Sequence, residues 1–114
     1  MTERLNFDFK VKTLLDAVII NGAGAVQVEF FERRTFHAIG HTTAGVGTAT
    51  VDVQASNDPN EDANTWITIG TMALTLGTTK VTDGFASDAP WRKIRGKVTN
   101  LTGTGATVTL LMAT

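Results

Sequence analysis

The chain has 114 residues, a formal net charge of −1 and no cysteine. That length suits one domain, because a chain of this size buries roughly two thirds of the surface it exposes when unfolded. The cysteine count excludes disulfide staples and thiolate metal sites, and 10 basic against 11 acidic residues set up no global field toward nucleic acid or an acidic membrane.

The N-terminus lacks the apolar core of a cleavable leader. Its longest apolar run, Ala17-Val18-Ile19-Ile20, falls far short of the roughly 20 residues that cross a bilayer. A soluble protein made in the cytoplasm, with no nucleic-acid or membrane partner, is expected. Threonine is abundant and Lys and Glu are sparse, a bias that suits pleated, half-buried surfaces. Charged residues make up 18% of the chain, below the roughly 25% typical of soluble domains. Either hydroxyls take the place of charges on the surface or a partner covers part of it.

In chain order, Leu5, Phe7, Phe9 and Val11 alternate with Asn6, Asp8, Lys10 and Lys12, so four apolar side chains share one strand face. Residues 1–13 are read as an N-terminal arm or first strand. As an arm they add to a neighbour's sheet edge, with Leu5, Phe7 and Phe9 in its pockets. Residues 14–114 form a single β-sandwich domain. Residues 14–20 read as a strand, or as one turn followed by a strand. Asn21-Gly22-Ala23-Gly24 is a turn and residues 25–31 a strand, followed by a solvated turn at Glu32-Arg33-Arg34. Residues 35–39 are the next strand, and the three glycines of residues 40–47 predict a flexible loop. In residues 48–55, Ala49, Val51, Val53 and Ala55 face one way and Thr50, Asp52 and Gln54 the other.

A polar turn then leads to Trp66, which heads strands over residues 66–70 and 72–76. The pattern returns at Ser87-Asp88-Ala89-Pro90-Trp91, ahead of a strand over residues 91–100. Both Trp rings are expected to plug the core. In that last strand Ile94, Gly96 and Val98 share a face with Arg92, while Trp91, Lys93, Arg95 and Lys97 line the other. Thr102-Gly103-Thr104-Gly105 is a tight turn, and Val108, Leu110 and Met112 point inward from the closing strand. Short strands without a sustained helical period predict an all-β fold, an antiparallel β-sandwich or jelly roll of about eight strands.

Motifs with possible chemistry fall short of their templates. Residues 19–27 resemble a dinucleotide fingerprint, but Gln27 stands at the third glycine and no crossover helix follows. Residues 58–64 alternate oxygen ligands like a calcium loop, yet Ala63 replaces the required glycine and Ile69 the bidentate glutamate. A polar turn whose Asn and Asp bond the backbone is the simpler account. His37 and His41 lack a third ligand, and neither Ser56 nor Ser87 sits in a nucleophile elbow. No enzyme activity, cofactor or metal is expected. The basic stripe Lys93, Arg95 and Lys97 is either the contact with an acidic protein surface or a phosphate, or a solvated strand face balanced by Asp52, Asp58 and Asp62.

Three segments resemble small tailed-phage virion proteins. They are Val53-Gln54-Ala55-Ser56-Asn57-Asp58 with Asn64-Thr65-Trp66-Ile67-Thr68-Ile69, then Asp83-Gly84-Phe85 with Ala89-Pro90-Trp91-Arg92-Lys93-Ile94-Arg95, and the terminal Gly103-Thr104-Gly105-Ala106-Thr107-Val108-Thr109. Pro59 departs from the pattern, which has glycine after Asn-Asp. The resemblance implies a non-enzymatic component of the virion, a capsid decoration or cement protein on the capsid exterior. Its implied partner is the major capsid protein, bound by a homo-oligomer that could be a trimer. Discoidin-like carbohydrate-binding modules also place a Ser-Asn-Asp turn before a Trp, which gives the alternative of a tail-associated glycan-binding module.

Overall fold

The computed structural model describes residues 11–28, 33–60 and 63–114. The arm residues Leu5, Phe7 and Phe9 lie outside the described residues. Nine strand segments follow in order: β1 Val11–Val18, β2 Gly22–Ala23, β3 Gln27–Val28, β4 Arg34–His41, β5 Ala44–Ser56, β6 Ile67–Leu76, β7 Val81–Ser87, β8 Lys93–Thr104 and β9 Thr107–Ala113. A 3-10 turn, Ala63–Thr65, precedes β6.

The strands form two antiparallel sheets. The first has the order β1-β9-β4-β7, and the second β2-β8-β5-β6 with β3 also on β8. Because β2 pairs with Lys97 and Val98 and β3 with Lys93 and Ile94, the two are one interrupted edge strand, which makes eight strands among the described residues. First pairs with last, β2 and β3 with β8, β4 with β7 and β5 with β6. That nested pairing is a hairpin rolled into a two-sheet jelly roll, so the all-β expectation holds.

The period-2 pattern fixes the core. Ala49, Val51, Val53 and Ala55 of β5, Met72, Leu74 and Leu76 of β6, and Ile94 and Val98 of β8 are all buried. They meet Leu14 and Leu15 of β1, Phe36 and Ala38 of β4, and Val108, Leu110 and Met112 of β9. Arg34 is also buried, and its guanidinium donates to the carbonyl oxygens of Ala89 and Trp91. It thereby ties β4 to the loop that delivers β8. Desolvation lowers its pKa from the ordinary value.

Several boundaries differ from the sequence reading. β1 spans Val11–Val18, with a register shift against β9 between Thr13 and Leu15. Of the expected strand over residues 25–31, Gln27–Val28 form β3, and residues 29–31 lie outside the described residues. The predicted loop at residues 40–47 is largely strand, because β4 continues to His41 and β5 starts at Ala44. Buried Thr42 makes this short crossing possible: its hydroxyl donates to Gly45 O at 2.7 Å and its amide to Gly77 O at 2.8 Å. Gly47 is required there, since an added Cβ would lie 2.0 Å from Thr102 O. The two strands expected on either side of Thr71 are one, β6. β8 extends to Thr104, past the expected end at Asn100.

Candidate interaction face

The outward side of the second sheet gathers the polar residues that the alternation assigns to it. Across β5 and β8, Asp52 stands opposite Lys97, Gln54 opposite Arg95 and Ser56 opposite Lys93. The basic stripe therefore does lie on one outward face, as its spacing predicts, beside a parallel row from β5.

Its three members differ in environment. Lys93 is buried, not solvated, because the loop after β5 folds over it and Pro59 O accepts from its Nζ at 3.2 Å. Within that loop the Asp58 amide donates to Ser56 Oγ at 3.1 Å and the Asn60 amide to Asp58 Oδ1 at 2.9 Å. Asn57 Oδ1 accepts from the Arg92 amide at 3.0 Å. The Asn and Asp side chains thus bond the backbone, as a polar turn does. Arg92 is exposed and precedes the strand, so it does not share the inward face assigned to it. Lys97 is half-buried, and the carboxylate of its neighbour Asp52 accepts from the Thr71 hydroxyl at 2.8 Å.

Arg95 is the organised member. Its guanidinium carbon lies 4.3 Å from the centroid of the Trp66 ring, and its Nε donates to Gln54 Oε1 at 2.8 Å. Stacking on one side and a directed hydrogen bond on another fix the plane of the fork. Burial lowers its pKa from the ordinary value, but an arginine remains charged across the accessible pH range. A guanidinium held this way can receive a carboxylate through two parallel hydrogen bonds without first losing its own rotamer freedom.

The expectation that both Trp rings plug the core is corrected here. Trp91 is half-buried and packs against the core's margin. Trp66 is half-buried on the outward face under Arg95. The cause is a bulge: Val53 pairs with Gly70 but Gln54 with Thr68, leaving Ile69 as an extra residue in β6. One inserted residue reverses the inside–outside parity of everything before it. Continued from Met72 without the bulge, the alternation would put Trp66 inside. The bulge turns it outward, and Gly70 instead faces the Phe85 ring, which would lie 2.3 Å from an added Cβ.

The participation of Trp66 and Gln54 was missed in the sequence. Gln54 could have been found, because it alternates in step with Asp52, but the bulge leaves no mark beyond Gly70. Elsewhere an open recess of about 200 Å³ is lined by Arg33, Arg34, Thr35, Ala113 and Thr114. His37 and His41 lie four residues apart on the outward side of β4, with His41 Nδ1 3.4 Å from Thr107 Oγ1. No family model, curated protein or solved structure matches the chain.

Proposed function

We propose that this chain is a non-enzymatic structural protein of a tailed-phage virion, a capsid decoration or cement protein that binds across major capsid subunits and stabilises the particle. The carrying observation is Arg95, oriented by Trp66 and Gln54 on an outward sheet face beside Lys97. An extended face with a fixed cation suits adhesion to an acidic protein surface, and many identical weak contacts sum through multivalency. The resemblance to small virion proteins supplies the particle. Lys93 belongs to this face as a support, since its ammonium is already engaged by Pro59.

The experiment is binding of the purified chain to stripped particles of the phage that encodes it, followed by cryo-electron microscopy. Density across capsid subunit junctions, with the second sheet against the capsid, is expected. Density only at the tail, or none, would end the cement reading.

One observation favours a second reading, that of a tail-associated or discoidin-like carbohydrate-binding module. Trp66 lies on the outward face and not in the core, and a sugar ring can stack on a surface indole. Glycan titration monitored by Trp fluorescence separates the two. A saturable change lost in Trp66→Ala supports glycan binding, and a flat response removes it.

A further inference from the structure

We infer that β6 is a homodimer interface, pairing edge to edge and antiparallel with β6 of a second copy so that the two second sheets become continuous. This does not rest on the virion reading. An edge strand presents a row of unpaired amides and carbonyls, and folded proteins blunt such edges with charge, proline, bulges or brevity.

Three of the four edges here are blunted. β1 carries Lys12 and Asp16, breaks register twice against β9 and has Ala17 at a φ of 48°. The β2–β3 edge is interrupted at residues 24–26, between Ala23 and Gln27. β7 carries Asp83, whose carboxylate accepts from the Gly84 amide at 2.8 Å.

β6 is different. Its ten residues, Ile-Thr-Ile-Gly-Thr-Met-Ala-Leu-Thr-Leu, contain neither charge nor proline. Beyond the bulge at Ile69, residues 71–76 pair in unbroken register with residues 47–52 of β5. No backbone hydrogen bond of β6 other than those to β5 is recorded among the described residues. Thr71, Ala73 and Thr75 are exposed, while Met72, Leu74 and Leu76 are buried up to the rim of the core.

The occupant is a second copy because the strand is self-complementary. A two-fold pairing sets these residues opposite one another, with no like charges to repel and with Thr and Ala facing Thr and Ala on the outward side. A partner strand selected by charge would find no charge on β6 to read. Main-chain hydrogen bonds supply the attraction, as in other β-augmentation contacts.

Sedimentation velocity on the full chain over a concentration series tests this, together with hydrogen exchange at low and high concentration. A monomer–dimer equilibrium is expected, with concentration-dependent slowing of amides in residues 71–76. Ala73→Lys and Thr75→Lys each place like charges near the dyad. Each should weaken the dimer about tenfold while leaving the circular dichroism spectrum and Tm as in wild type. Thr75→Lys serves if Ala73→Lys alters the fold. A chain that stays monomeric, a trimer, a dimer indifferent to both variants, or protection that falls on β1 or β7 would each overturn the proposal.

Discussion

The two outward faces of this sandwich share a backbone architecture and differ in chemistry. On the second sheet, Asp52, Gln54, Arg95 and Lys97 form facing polar rows with Trp66 beside them. On the first sheet, the outward positions of β4 and β9 are Thr35, His37, Ile39 and His41 against Ala113, Leu111, Thr109 and Thr107. No lysine, arginine or acid occurs among those eight. The inward faces are interchangeable in character, because burial demands the same apolar alternation from both. Only the outward faces were free to diverge, so the difference between them carries information about use.

The largest effect should come from the shared interior, which sets the baseline for the comparison. Leu110 is fully buried between the sheets. Leu110→Ala should cost about 2–5 kcal/mol in denaturant unfolding, through lost burial and a residual cavity. A cost under about 1 kcal/mol would mean that the sheets are not packed as described.

Arg34→Met comes next. It keeps the volume but removes the donors to Ala89 and Trp91. Loss of about 1–3 kcal/mol is expected from the lost charge-assisted hydrogen bonds, although Ala89 O keeps the Trp91 amide as a donor, with a change in Trp fluorescence as the loop before β8 loosens. An unchanged melt and spectrum would show that the loop holds without it.

The faces themselves are separated by binding more than by stability. Arg95→Ala should lower stability by only about 0.5–1 kcal/mol, the scale of one exposed cation–π contact, yet remove most particle binding. Arg95→Lys should rescue it poorly, since an ammonium cannot make the two-pronged contact. Full rescue by lysine would reduce Arg95 to a point charge.

The smallest effects sharpen the contrast. Lys97→Glu on the second sheet and Thr35→Glu on the first should each change stability within about ±0.5 kcal/mol. The Lys97 variant should slow particle association and flatten its salt dependence, because one screened attraction is lost, while the Thr35 variant should bind as wild type. Equal effects from both would erase the distinction between the faces.

The core was readable in the sequence because strict alternation with one buried face leaves little choice of register: the β5 row from Ala49 to Ala55 and the β9 row of Val108, Leu110 and Met112 are both buried as expected. The outward placement of Arg95 and Lys97 followed from the same rule. Three features escaped it, each for a physical reason. The bulge at Ile69 reversed the side of Trp66. A tertiary contact from the Pro59 loop buried Lys93, which local pattern cannot register. The crossing at Thr42 was hidden because its glycines, which ordinarily signal a loop, here let two strands approach each other closely. What the pattern conveys is side-chain parity, and these features depend on inserted residues or on contacts distant in sequence.

The most direct test of the central claim, that the second sheet is the contact face, is a hydrogen-exchange footprint of the chain free and bound to capsid. The account predicts slowed exchange in β5, β8 and the turn before Trp66, with β4 and β9 unchanged. Protection confined to β4 and β9 would contradict it.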